Sequence, residues 1–135
     1  SHYVVTGVFG YFLVQGEGSI FLPVLAGICW AIAMHAYSAV PDIHADRESG
    51  IQTIATKIGR QKTIILCALL YLLSAILVVP HISYISLVLC VPYLLLMIKS
   101  YKAGDEELFR LYTYFPKLNS LIGMMIFFIV ALNLF

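Results

Sequence analysis

The sequence predicts an all-α integral membrane protein, a bundle of about four to five transmembrane helices. Two observations carry that prediction. Of 135 residues, 61% are hydrophobic and 11% are charged, against roughly 45–50% and about 25% in soluble domains. The apolar residues also gather into long runs, and every Lys and Arg lies in the two polar loops between them. One membrane domain, residues 1–135, is the limit at this length. A net charge of +1 with no basic cluster excludes nucleic acid as a partner.

Tyr3 to Val14 is apolar but short of the roughly 20 residues a span needs. It reads as the end of a transmembrane helix or a tilted span from Ser1. Gln15 to Ser19 is a turn. Ile20 to Val40 is a clean span, with Pro23 in its first turn, where a missing N–H costs little. Asp42 to Lys62 is a polar loop. Thr63 to Val79 spans again, and Pro80 to Ser83 is a tight connection. Tyr84 to Ile98 returns, with Pro92 a predicted kink that neighbouring helices tolerate.

Lys99 to Lys117 is the second polar loop. Leu108, Leu111, Tyr112 and Phe115 recur there at helical spacing, with Asp105 to cap the start and Pro116 to end it. Two readings fit: a short interfacial amphipathic helix, or an aromatic-rich loop at headgroup level. Leu118 to Phe135 is the last span, with Asn119 placed to cap it or to reach the site. Small residues (Gly27, Ala31, Ala68, Ser74 and Gly123) are expected at the helix contacts.

Crossing once per span puts both polar loops on one face. All eight Lys and Arg residues fall there, whereas the opposite connections hold only Glu17 and His81. The positive-inside rule therefore predicts a multi-pass protein with both loops facing the cytoplasm. The three cysteines, Cys29, Cys67 and Cys90, sit inside apolar runs without metal-ligand spacing and read as small buried hydrophobes. The chain starts at Ser1 inside an apolar segment, which leads us to expect the C-terminal part of something longer.

The chemistry concentrates between His35 and Thr53. Asp42 and Asp46 are four residues apart, so on a helical turn both carboxylates point the same way. Paired carboxylates at a membrane surface suggest Mg²⁺ with a phosphorylated ligand, because this ion keeps waters and is usually completed by substrate phosphate. Arg47, Lys57 and Arg60 are the cations available to neutralise further phosphate charge. On a continued helix His35, Ser38, Asp42 and Asp46 form one stripe, unless Pro41 breaks it. The alternative is a solvated loop in which the two aspartates pair with Arg47 or cap helix ends.

The stretch from His35 to Gly59 resembles the second aspartate-rich motif of the UbiA superfamily of intramembrane prenyltransferases, D-x-x-x-D-x-x-x-G-x-x-T followed by a small apolar pair and a glycine. Asp42, Asp46, Gly50, Thr53 and Gly59 match, and Ser-Ala-Val-Pro-Asp42 is similar to the lycopene elongase branch. A basic residue is common in relatives where this chain has Gln52. The resemblance implies the second half of a bundle of about nine spans around a cavity open to lipid. It implies Mg²⁺, held by Asp42 and Asp46, and an allylic prenyl diphosphate whose departure leaves a carbocation for a lipophilic acceptor, including a carotenoid such as lycopene. Asp42 and Asp46 are then the catalytic residues. Arg47, Thr53, Lys57, Arg60, His35, Tyr37 and Ser38 are the substrate-binding candidates.

The family's first motif, of N-D-x-x-D-x-x-x-D type, is absent, and no aspartate occurs between Ser1 and Val40. We therefore expect an enzyme that is incomplete in this chain and inactive without an N-terminal half carrying that motif. An aromatic quinone precursor or a glycerol-phosphate lipid is the alternative acceptor. A CDP-alcohol phosphotransferase would need an upstream D-G-x-x-A-R block, which this chain lacks. A non-enzymatic bundle or transporter fragment would place ionisable groups deep in several spans, whereas here they cluster in the loops. His35 reads as a cavity base or cation stabiliser or as a packed histidine, and His44 as exposed.

Overall fold

A computed structural model describes residues 21–133 of the chain. The expected first span and the turn after it lie outside the described residues. Among those described there are six α-helices and no strand. They are α1 (Phe21–Ser38), α2 (Ile43–Glu48), α3 (Ile54–Ile58), α4 (Arg60–Ile82), α5 (Ile85–Lys102) and α6 (Asp105–Asn133). Three of them, α1, α4 and α5, are long and apolar enough to cross a membrane.

The central element is α4, with α1 along one side and α5 along the other, and α6 packed more lightly on α5. Small residues let the first pair approach closely. Ala26, Cys29, Ala31, Ala33 and Ala36 are the buried residues of α1 along with Tyr37, and Ser74 of α4 donates to the Ala26 carbonyl at 2.8 Å. Ala68 packs at the edge of the same core. Gly123, by contrast, is exposed and has no neighbour where a side chain would stand. All three cysteines are free and buried, and Cys67 donates to the Ala33 carbonyl at 3.4 Å.

The outward faces carry the aliphatic residues that a lipid environment accepts. Ile65, Leu69, Leu72 and Ile76 on α4, and Val88, Val91, Leu95 and Ile98 on α5, are all exposed.

Helices run further than the prolines suggest. The helix α4 continues through Pro80 to Ile82; only the last turn lies beyond the ring, so little ladder is lost. More consequential is α6, a single 29-residue helix that contains Pro116. The sequence predicts a short interfacial segment ending there and a separate span after it. Pro116 can donate no bond to the Tyr112 carbonyl, yet Phe115 and Ile122 on either side of it are buried in one core. Shared packing keeps the two halves joined. Asn119 is consequently mid-helix and caps nothing; it accepts from the Tyr93 hydroxyl at 2.7 Å.

Candidate active site

The end of α1 is set by Pro41. The residue before a proline is driven out of the helical region, and the chain closes instead with a Val40 N–H to Tyr37 carbonyl bond of 3.1 Å. Helix α2 then starts afresh. The stripe expected on a continued helix is therefore broken between Ser38 and Asp42.

Asp42 is the N-cap residue of α2, and its carbonyl accepts from the Asp46 N–H at 2.8 Å. The two carboxylates are thus one helical turn apart, on the same side of a short helix. The Asp42 side chain makes no capping bond. Asp42 is exposed and Asp46 half-buried. Among the described residues the one ion pair is Arg60 with Asp105. Both carboxylates are left unspent by local structure, which is what a cation site requires.

The glycine of the motif has a backbone role. Gly50 has φ +70°, and it closes α2 with its own N–H on the Arg47 carbonyl (3.2 Å) and the Ile51 N–H on the Asp46 carbonyl (2.8 Å). That is a Schellman closure, with glycine at the left-handed position. A Cβ there would meet nothing within 4 Å, so the requirement is conformational rather than spatial.

The threonine also turns inward. Thr53 caps α3: its hydroxyl accepts from the Thr56 N–H at 3.1 Å, and the Thr56 hydroxyl accepts from the Thr53 N–H at 2.8 Å. This reciprocal capping box occupies the side chain that the motif offered as a ligand contact. Gly59, at φ +85°, is the single residue between α3 and α4.

The cations divide. Arg47 donates to the Thr56 carbonyl at 3.3 Å, tying α2 to α3. Lys57 is exposed in the last turn of α3. Arg60 is bonded at the α5–α6 corner, where it reaches Asp105 at 2.7 Å. Of the α1 candidates, His35 is exposed and Ser38 donates to the His35 carbonyl at 2.8 Å. Tyr37 is 0% exposed, with its hydroxyl 2.8 Å from that of Ser100 and its ring edge-on to Phe115. His44 is exposed, as expected.

The donor set suits one ion rather than a protein cage. Among the described residues no three His, Cys, Asp or Glu side chains converge. Two carboxylates plus waters and ligand phosphate is the usual coordination of Mg²⁺. Further along the long helices, away from this corner, a cleft opens between α1, α4, α5 and α6, lined by Trp30, Tyr71, Leu89, Tyr93, Ile122 and Ile126 among others. Sequence reading did not find the polar contacts of its wall, Trp30 to Tyr93 and Tyr93 to Asn119. The signal for them was a set of polar side chains placed inside apolar runs.

The profile of the UbiA prenyltransferase family matches residues 2–109. The chain belongs to that family. This UbiA family member is similar to proteins named lycopene elongase/hydratase. That of Haloarcula japonica is 34% identical over 131 residues, 96% of this chain and 43% of the relative. That of Haloferax volcanii is 34% identical over 125 residues, 92% and 40%, and that of Halobacterium salinarum 36% over 123 residues, 90% and 44%. The UbiA chain thus spans about two fifths of the length of these curated relatives. No solved structure matches it.

Proposed function

We propose that this chain supplies one jaw of a diphosphate clamp in an intramembrane prenyltransferase. The donor is an allylic prenyl diphosphate and the acceptor a lipophilic molecule, a carotenoid of the lycopene type. The observation that carries the reading is the pair Asp42 and Asp46, one turn apart and free of local partners at the end of an apolar helix. The family and the names of the relatives support the reaction class and the acceptor.

In this reading Asp42 and Asp46 hold Mg²⁺, which when bound neutralises charge on the departing diphosphate. The chain's own contribution is placement. Closure of α2 by Gly50 fixes the carboxylates relative to each other, and Arg47 and Lys57 add positive charge beside them. The apolar cleft keeps water away from hydrocarbon. The second jaw is a further aspartate-rich motif, which residues 1–135 do not contain. Both polar loops face the cytoplasm, where diphosphate donors are soluble.

The test uses the full-length protein in membranes with an allylic diphosphate and lycopene. Asp42→Ala and Asp46→Ala should each lower Mg²⁺-dependent transfer by about a hundredfold or more. Unchanged transfer in both variants would refute the assignment.

A further inference from the structure

Arg60 stands in the same polar corner as the carboxylates, yet its guanidinium is committed elsewhere. One nitrogen donates to Asp105 at 2.7 Å, and the other reaches the Ser100 carbonyl at 3.4 Å and the Ala103 carbonyl. Ser100 is in the last turn of α5 and Ala103 is its C-cap residue, where a helix leaves acceptors unsatisfied and carries partial negative charge. Asp105 is the first residue of α6, where a negative charge is favoured. Arg60 therefore bridges two complementary helix ends and fastens the start of α4 to both.

Ser100 links this clamp to the carboxylates. Its carbonyl receives Arg60, and its side chain, 0% exposed, bonds the buried Tyr37 hydroxyl at 2.8 Å. Tyr37 in turn accepts from Val40, two residues before Asp42. On the other side α2 is held by the Arg47 bond to Thr56, and α3 is joined to Arg60 through Gly59 alone. Hydrogen bonds and chain together close a ring: Arg47 to Thr56, Arg60 to Ser100 and Ser100 to Tyr37 are bonded, and short stretches of backbone through Asp42 and Gly59 join the rest.

We infer that Arg60 is a positioning residue rather than a diphosphate ligand, acting with Ser100 and Asp105 to fix both ends of the carboxylate-bearing helix α2. This rests on the reading of Asp42 and Asp46 as a Mg²⁺–diphosphate site. Charge gives the inference a distinctive sign. Asp105 is an acidic side chain, 80% exposed, and removing a negative charge near an anion site should by Coulomb attraction tighten binding. A positioning role requires the opposite.

The experiment uses the full-length protein in nanodiscs and two readouts. One is Mg²⁺-dependent binding of inorganic pyrophosphate, and the other is hydrogen exchange at the amides of residues 42–58. Asp105→Asn should weaken pyrophosphate binding several-fold. Arg60→Lys, which keeps the charge but loses the fork, and Ser100→Ala should weaken it by about tenfold. All three should accelerate exchange across 42–58, with the melting temperature identifying any variant that has lost its fold. Equal or tighter binding in Asp105→Asn overturns the inference. So does weaker binding in Arg60→Lys with unchanged exchange, which would make Arg60 a direct contact. Failure of the wild-type protein to bind Mg²⁺-pyrophosphate refutes the functional reading instead; the exchange readout then decides the positioning role alone, and unchanged exchange overturns it.

Discussion

Gly50 is the residue on which the geometry of the two carboxylates depends most directly. Its φ of +70° lies in the left-handed region, which costs a residue with a Cβ roughly 1–2 kcal/mol. Because nothing crowds the position, Gly50→Ala should lose stability by about 1 kcal/mol through the backbone alone, read as a lower melting temperature in detergent. A wild-type melting curve would show that glycine is dispensable there. Asp42, Asp46 and Gly50 were all legible in the sequence, because their spacing is local and helix geometry converts it into position. Tyr37 and Arg60 were named as candidates there too, but their contacts were not legible. Their partners, Ser100 and Asp105, lie 63 and 45 residues away, and no periodicity reports which polar side chains meet across a fold.

At the scale of elements, the loop expected between two spans is two short helices with defined ends. Helix α3, at five residues, is too short to persist on its own propensity, so its capping box matters. Thr53→Ala should cost about 1 kcal/mol and raise hydrogen exchange in residues 54–58, while Thr53→Ser should behave as wild type. Equal exchange in both variants would show that α3 is held by packing alone. The long helices were read well from hydropathy, with ends shifted by a few residues. The reading failed where proline was taken as punctuation. At Pro116 tertiary contacts of Phe115 and Ile122 outweigh one lost ladder bond, and two expected elements become one.

For the whole molecule, the contacts that tie the short helices to the long ones gather at one end of the bundle. Tyr37 with Ser100, Arg60 with Asp105, and helices α2 and α3 all lie there, whereas the α4–α5 turn at Ser83 lies at the other. Applied to the Lys and Arg residues, the positive-inside rule predicts one sidedness for the chain as a unit. Single cysteines at Lys62 and Lys102, in a background lacking the three native cysteines, should react with an impermeant maleimide only from the cytoplasmic face. One at His81 should react only from the opposite face. Labelling of all three from one side would contradict the topology. Membrane character was readable from composition because it depends on the solvent rather than on specific partners. The cleft among the four long helices was not, since its walls come from four separated segments.

Closure of α2 at both of its ends has a consequence for how this segment tolerates change in length. An α-helix turns by about 100° per residue. One residue inserted between Asp42 and Asp46 would swing the second carboxylate a quarter-turn or more away from the first. Pro41 before the pair and Gly50 after it leave no adjacent helix to absorb the slip. The segment from Pro41 to Gly50 therefore behaves as a cassette of fixed count, open to substitution at its exposed positions and closed to insertion.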